Sequence, residues 1–249
     1  MRLGLIQLRI TDGEPEINLD RAVQLVRSAP RCDLILLPEL FTTGYAHDTW
    51  PDTASKHTPS ALKRLRALGA ELNISLAGSM ISLNNSGKLV NRFWLMLPDQ
   101  RIAHYDKANL FAPMRERELL CAGTDSLVED FGEFHAAFSI CFDLRFPEAY
   151  REAAINGANL FCIVAEWPAP RAEALRTLSR ARAIENHAYL AVCNRVGLAT
   201  DGTEFDGGSA IIAPDGTVLA DADTAEDVTI SAELDAKACR KLREAIGTF

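Results

Sequence analysis

The 249 residues are 48% hydrophobic and 24% charged, which is typical of a globular chain long enough to bury its own core. The formal net charge of −8 and the lack of basic runs interleaved with aromatic residues exclude a typical nucleic-acid-binding protein. No apolar stretch approaches the ~20 residues that cross a bilayer, and the N-terminus lacks the apolar run of a signal peptide. We therefore expect a single cytoplasmic domain over residues 1–249, with no membrane or nucleic-acid partner.

The predicted elements alternate between strands and helices. Apolar runs bounded by turn residues predict strands at 3–8, 33–37, 74–83, 88–97, 101–105, 134–140, 160–164, 189–194, 209–213, 217–220 and 228–234. Helical spacing predicts helices at 17–26, 58–72, 146–156 and 171–187, and Thr58 is expected to cap the second of these. This order predicts an α/β or α+β layered fold with a mixed sheet.

The cysteines and histidines indicate a reducing compartment and no metal. The six cysteines form no C-x-x-C pair, and Cys162 stands inside an apolar run, so we expect free thiols. The five histidines show no spacing of the H-E-x-x-H kind. We therefore expect neither a metal nor another cofactor.

Cys141 is the strongest candidate nucleophile, because it stands where a predicted strand meets a predicted helix. Backbone N–H groups and the positive end of the helix dipole would favour a thiolate there. The N–H of Phe142 would be well placed to stabilise an oxyanion. The alternative is a small buried hydrophobic residue, an interpretation that Cys162 and Cys193 fit better.

Two further positions suit acyl transfer by a thiol. Glu39 comes just past a buried strand, where open α/β sheets place their ligands, although a solvated loop glutamate is an equal alternative. Lys107 follows a strand and precedes an apolar pair, which would suit a buried cation facing an oxyanion. Taken alone, Lys107 is more simply interpreted as a surface lysine paired with Asp106.

Taken together and in order, these segments resemble the nitrilase, or carbon–nitrogen hydrolase, superfamily over essentially the whole chain. The resemblance lies in three motifs, supported by shorter matches further along the chain. The motifs are Pro38-Glu39, Tyr105-Asp106-Lys107 and Cys141-Phe142-Asp143-Leu144-Arg145-Phe146-Pro147-Glu148, and the shorter matches are Trp167-Pro168, Ala181–Asn186 with Tyr189, Asn194–Gly197 and Gly208-Ser209. The resemblance implies a four-layer α-β-β-α sandwich with two mixed β-sheets, usually paired as a homodimer through its helices.

The resemblance also implies catalytic roles. Glu39 would take the thiol proton as Cys141 attacks, Lys107 and the N–H of Phe142 would stabilise the oxyanion, and a thioester would form as ammonia leaves. A second glutamate is implied between the lysine and the cysteine, to position the hydrolytic water. Spacing to Ala122-Gly123 favours Glu116 for this role, with Glu118 as the fallback.

Within the superfamily, the motif that begins at Cys141 and the segment 167–171 most resemble the omega-amidases. These hydrolyse the terminal amide of a small 2-oxo dicarboxylic acid monoamide, such as 2-oxoglutaramate or 2-oxosuccinamate. Trp167 is then expected at the substrate site, with Arg171, Arg115 and Arg117 as candidate carboxylate anchors. At least two of these three arginines are more simply interpreted as solvent-exposed charges.

Two residues depart from the pattern of the omega-amidases. Glu166 stands where a small or amide residue is common, and an ionised Glu166 in the pocket would repel a substrate carboxylate. Pairing with Arg145 or Arg171 would instead make Glu166 structural. Asn109 stands where histidine is frequent.

Other functions remain open at this point. The chain could be another carbon–nitrogen hydrolase, namely an N-carbamoyl amidase, a deaminated-glutathione amidase or a nitrilase, because all would use the same three residues. A catalytically silent binding protein of the same fold and a thiol-based redox sensor at Cys141 are weaker alternatives.

Overall fold

The computed structural model describes residues 1–247, whose strands form two large sheets and one short ribbon. The strands are β1 (Arg2–Gln7), β2 (Leu34–Leu36), β3 (Ser75–Leu83), β4 (Leu89–Met96), β5 (Ile102–Asp106), β6 (Leu127–Phe131), β7 (Phe134–Ile140), β8 (Leu160–Ala165), β9 (Tyr189–Asn194), β10 (Val196–Leu198), β11 (Glu204–Asp206), β12 (Ala210–Ile212), β13 (Val218–Asp221) and β14 (Val228–Glu233). The first sheet has the order β14-β1-β2-β3-β4-β5 and the second β13-β12-β9-β8-β7-β6, while β10 and β11 form the ribbon.

The helices vary widely in length. They are α1 (Pro15–Ser28), α2 (Trp50–Asp52), α3 (Thr58–Leu72), α4 (Glu116–Leu119), α5 (Pro147–Ile155), α6 (Ala172–Asn186) and α7 (Ala236–Ile246). Short 3₁₀ turns cover His47–Thr49, Ala112–Met114, Cys141–Arg145 and Ala169–Arg171, and a π turn covers Thr53–His57.

Both large sheets are mixed. In the first sheet β1, β2 and β3 run parallel, whereas β14, β4 and β5 pair antiparallel with their neighbours. In the second sheet β7, β8 and β9 run parallel, whereas β6, β12 and β13 are antiparallel. Parallel strands in layered folds are buried on both faces, which explains the continuous apolar runs of β2 and β8.

The two sheets pack face to face, and helices cover both outer faces. Phe93 of the first sheet and Phe138 of the second meet in the inner core, with ring centroids 5.0 Å apart. On the outer face of the first sheet, α1 and α3 bury Leu19 and Leu65. On the outer face of the second, α5 and α6 bury residues that include Tyr150. The predicted four-layer α-β-β-α sandwich with two mixed sheets is confirmed.

The predicted elements are confirmed within about two residues at most ends, but the predicted cap is wrong. Helical turns already run from Trp50, so Thr58 lies inside a continuous helical segment. Its hydroxyl donates instead to the carbonyl of Ile81, 2.7 Å away. The sequence patterns did not predict β6, α7, the β10–β11 ribbon or the turns before α3.

Two further properties concern partners and ligands. No helix within residues 1–247 is long and apolar enough to cross a membrane. The same residues contain no cluster of three or more histidine, cysteine, aspartate or glutamate side chains that could hold a metal ion.

Candidate active site

Four functional candidates lie just past the end of a strand. Glu39 follows β2, Lys107 follows β5, Cys141 follows β7 and Glu166 follows β8. Glu116 joins them as the first residue of α4. All five are buried, and Glu39, Lys107, Glu116 and Glu166 are 0% exposed.

Lys107 joins two buried carboxylates. Its Nζ lies 2.8 Å from Oε1 of Glu39 and 2.7 Å from Oε1 of Glu116. Burial lowers the pKa of Lys107, but these two carboxylates outweigh that effect and hold it well above the ordinary value. Lys107 is therefore a fixed ammonium, and Asp106 pairs with Arg92 rather than with this lysine.

Glu39 is held by hydrogen bonds to both of its oxygens. Besides Lys107, the Oε1 atom accepts from Nδ2 of Asn91 at 2.7 Å and from the hydroxyl of Tyr45 at 3.3 Å. The Oε2 atom accepts from the backbone N–H of Glu166 at 2.8 Å. These contacts fix the orientation of the carboxylate.

The candidate second glutamate is also held tightly. Glu116 accepts from the hydroxyl of Tyr45 at 2.6 Å and from the backbone N–H of Phe111 at 2.6 Å. Glu118 is exposed and pairs with Arg115 at 3.0 Å, so Glu116 is the glutamate that lies in the cluster. Sequence reasoning missed Tyr45 and Asn91, and the only signal for Asn91 was a polar residue within an apolar strand.

Cys141 occupies a strained turn. Its φ of +46° lies in the left-handed region, which non-glycine residues rarely adopt. The carboxylate of Asp143 supports this turn by accepting from the N–H of Ile140 at 3.0 Å and the hydroxyl of Tyr105 at 2.6 Å. Asp143 also accepts from the backbone and side-chain nitrogens of Asn109, each at 2.9 Å, so it joins the Cys141 turn to the loop that carries Lys107.

The thiol of Cys141 is protonated at rest. Burial and the charge of Glu39 hold its pKa well above the ordinary value, although Lys107 acts in the opposite direction. The expectation that a helix dipole favours the thiolate is therefore wrong, because only a five-residue 3₁₀ turn begins at this cysteine. The charge of Glu39 raises the pKa of this thiol, so a carboxylate lies close enough to act as its base.

A narrow cleft reaches Cys141. Its lining residues are Phe111, Cys141, Phe142, Arg145, Glu166, Trp167, Pro168 and Arg171. The guanidinium of Arg145 lies 5.0 Å above the ring of Trp167, and that of Arg171 lies 5.4 Å above the ring of Phe111. Both arginines are exposed, and neither forms an ion pair with any carboxylate among the described residues.

The other candidate anchors do not line this cleft. Arg115 pairs with Glu118 at the surface. The Nε atom of Arg117 donates to the carbonyl of Leu110 at 3.2 Å. Phe142, Trp167 and Arg171, which the sequence predicts for a substrate site, line the same cleft as Cys141.

Glu166 pairs with Arg195, so the expected partners Arg145 and Arg171 are both wrong. Its Oε2 atom accepts from Nη1 of Arg195 at 2.9 Å, and that nitrogen also donates to Asp12 at 2.9 Å. Burial raises the pKa of Glu166 to about 8; Arg195 opposes this shift and Asp12 adds to it. At neutral pH Glu166 is thus mainly protonated, and the repulsion expected against a substrate carboxylate is largely removed.

The four-layer α-β-β-α sandwich, with cysteine, lysine and glutamates buried together at its strand ends, agrees with what the resemblance to the carbon–nitrogen hydrolases implies. The family model for carbon–nitrogen hydrolases matches residues 2–244. The chain therefore belongs to the carbon–nitrogen hydrolase family.

Known relatives and solved structures agree with this assignment. The chain is 32% identical to a 2-oxoglutaramate amidase from Bacillus subtilis (99% of this chain, 95% of the relative). It is 37% identical to the omega-amidase YafV from Escherichia coli K12 (98% and 93%). A CN-hydrolase superfamily protein from Xanthomonas campestris, with an arsenic adduct in its active site, superposes with a TM-score of 0.91 at 29% identity (99% and 95%). The chain is a hydrolase that acts on the carbon–nitrogen bond of amides other than peptides.

Proposed function

We propose that the protein is an omega-amidase, which hydrolyses the terminal amide of a small 2-oxo dicarboxylic acid monoamide such as 2-oxoglutaramate or 2-oxosuccinamate. The observation that carries this proposal is the pair of guanidinium groups, Arg145 and Arg171, that lack a carboxylate partner beside the cleft. A guanidinium is the natural complement of a carboxylate. The names of the Bacillus and Escherichia relatives support the same substrate class.

The proposed acylation step uses Cys141 and its neighbours. The sulfur attacks the amide carbon while Glu39 takes the thiol proton, and Lys107 with the N–H of Phe142 stabilises the oxyanion. Glu39 then donates the proton to the leaving nitrogen, and the C–N bond breaks. Ammonia leaves, and a thioester remains on Cys141.

Water completes the proposed cycle. Glu39 takes a proton from the water, whose oxygen attacks the thioester carbonyl, and Lys107 again faces the oxyanion. The C–S bond then breaks, the acid leaves, and the proton returns from Glu39 to the sulfur of Cys141. Glu116 supports both steps, because its 2.7 Å contact fixes Lys107 and thereby the space left for the water.

We also propose a cytoplasmic homodimer. The exposed apolar side chains of Ile155 on α5 and Ile184 on α6, at 61% and 45% exposure, support pairing through these helices. All six cysteines are free, which supports a reducing compartment. Sedimentation equilibrium tests the pairing, and a purely monomeric protein at micromolar concentration would contradict it.

Removing the guanidinium groups tests the substrate class. We expect Arg171→Gln and Arg145→Gln each to raise KM for 2-oxoglutaramate by about 10- to 100-fold, since a charged hydrogen bond contributes about 1.5–3 kcal/mol. The KM for an uncharged aliphatic amide is expected to change by less than about 3-fold, because that substrate has no carboxylate to lose. Ammonia release at varied substrate concentration measures both.

The control is Arg115→Gln, because Arg115 is exposed and lies outside this cleft. The panel also includes an N-carbamoyl amino acid and a nitrile, which represent the alternative hydrolases. Fastest ammonia release from either of these, or an equal change in KM for charged and uncharged amides, would contradict the proposed substrate class.

A further inference from the structure

Glu166 contacts both proposed reacting groups through its backbone. Its N–H donates to Oε2 of Glu39 at 2.8 Å, and its carbonyl lies 3.9 Å from Sγ of Cys141. Within residues 1–247 this N–H is the only nitrogen that donates to Oε2, whereas Oε1 accepts from Lys107 and Asn91. The position of one peptide group therefore decides where the second oxygen of Glu39 points.

The side chain of Glu166 is anchored by Arg195. Arg195 is fully buried and is itself held from several sides. It donates to Asp12 at 2.9 Å and to the carbonyl of Ile10 at 2.7 Å, and its guanidinium lies 4.5 Å from the ring centroid of Phe205. An arginine held this firmly is a fixed anchor point for the residue bound to it.

The backbone at Gly44 packs closely against the pair of Asp12 and Arg195. Gly44 has a φ of +56°, and a Cβ built there would lie 2.4 Å from Oδ1 of Asp12 and 3.1 Å from Nη1 of Arg195. The neighbouring peptide is anchored as well, because the N–H of Trp167 donates to Oδ1 of Asn194 at 2.8 Å. The end of β9 thus holds the two peptides that follow β8.

We propose that Glu166 and Arg195 are positioning residues, whose buried contact fixes the peptide of Glu166 so that its N–H orients Glu39 towards Cys141. This inference rests on the proposed role of Glu39 as the base. It assigns a function to the glutamate that departs from the omega-amidase pattern, and it makes the length of that side chain the property that matters.

The negative charge of Glu166 is not what this role needs. Asp12 already neutralises Arg195, and the raised pKa of Glu166 keeps most of this carboxyl group protonated at neutral pH. Glutamine has the same length and offers a carbonyl oxygen to Nη1 of Arg195. Aspartate keeps the charge but is one methylene shorter, so it can reach Arg195 only if the peptide moves away from Glu39.

The test therefore compares a variant that keeps the side-chain length of Glu166 with a variant that keeps its charge. We expect Glu166→Gln to keep kcat within about 3-fold of wild type, and Glu166→Asp to lower kcat by about 10- to 100-fold, because misplaced reacting groups lose rate steeply. The KM for 2-oxoglutaramate is expected to stay within about 2-fold in both, because the anchor does not touch the substrate. Each rate is divided by the amount of Cys141 that iodoacetamide labels, which counts folded active sites.

Two further variants keep the test decisive. Arg195→Lys keeps a positive charge but loses the second nitrogen of the guanidinium group, so we expect the same fall in kcat as in Glu166→Asp. This variant still tests the inference if Glu166→Asp folds poorly. Leu65→Ala is the control, because Leu65 is fully buried in α3 and its loss lowers stability without touching the site. It should keep the wild-type kcat per labelled thiol.

Wild-type kcat per labelled thiol in both Glu166→Asp and Arg195→Lys would overturn the inference. A fall in Glu166→Gln together with a wild-type kcat in Glu166→Asp would also overturn it, because charge rather than length would then matter. Glu39→Gln, assayed in the same series, distinguishes failure of the proposed function from failure of the positioning role alone. If Glu39→Gln remains active, the proposed function fails; if it is inactive while Glu166→Asp is normal, only the positioning role fails.

Discussion

Glu39→Gln is expected to lower kcat by at least ~10³-fold, towards the upper part of the range typical of general acid–base catalysis. The thiol of Cys141 is protonated at rest because burial and Glu39 raise its pKa. Attack therefore needs an acceptor for the thiol proton at the moment the C–S bond forms. Glutamine fills the same volume but accepts no proton, so both acylation and hydrolysis of the thioester should slow. Steady-state ammonia release from 2-oxoglutaramate measures the effect.

The matched control is Tyr45→Phe. It removes a hydroxyl that lies 3.3 Å from Glu39 and 2.6 Å from Glu116, but it leaves the base itself in place. We expect a fall in kcat of about 10-fold at most, because only one hydrogen bond to a charged group is lost. More than a tenth of the wild-type kcat in Glu39→Gln would exclude Glu39 as the base.

Lys107→Met is expected to abolish activity and to destabilise the fold. The ammonium is the only cation that contacts both Glu39 and Glu116 within the described residues. Removing one partner of a buried ion pair typically costs about 3–5 kcal/mol of unfolding free energy. Losing one oxyanion donor alone lowers kcat by about 10²- to 10³-fold, and the disturbed Glu39 should add to that loss. Chemical denaturation and ammonia release measure the two effects separately.

The destabilisation of Lys107→Met should depend on pH. Without the ammonium, two adjacent buried carboxylates favour retention of one proton in the folded state, whereas the unfolded chain releases it. The folded variant then binds more protons than the unfolded variant, so its stability falls as the pH rises. We expect its deficit relative to wild type to be larger at about pH 8 than at about pH 5.5.

Lys56→Met is the control for this comparison. Lys56 is a surface lysine paired with Asp52, and its side chain is 71% exposed. Its loss should change stability by less than about 1 kcal/mol at either pH, because exposed ion pairs contribute little. A Lys107→Met deficit that stays constant or shrinks as the pH rises would contradict the coupling between Lys107 and its two carboxylates.

The sequence was most informative for the strands. The prediction for β7 has the same bounds as the structure, Phe134–Ile140, and this placed Cys141 at a strand end. Helix α7 was missed because five of its eleven residues are charged and it buries only Ala236 and Cys239, so it has few apolar residues to mark it. The turns before α3 were missed because Pro51 stands within the first turn of α2, where proline starts helices rather than breaking them.

The site was predictable only in part. The motifs located the residues that follow β2, β5 and β7, but the partners of these residues come from distant parts of the chain. Asn91 lies 52 positions from Glu39, and Arg195 lies 29 positions from Glu166. The protonated state of Cys141 could not be predicted either, because it depends on burial and on the placement of Glu39.

The most direct test of the central claim is ammonia release from 2-oxoglutaramate by the wild type and by Cys141→Ala, assayed side by side. The exchange removes one sulfur atom from a side chain that borders the cleft, so the thermal unfolding curves of the two proteins should be similar. We expect steady release from the wild type and none above background from the variant, since no other group in the cleft is placed to form the acyl intermediate. Turnover by Cys141→Ala at more than background would show that Cys141 is not the nucleophile.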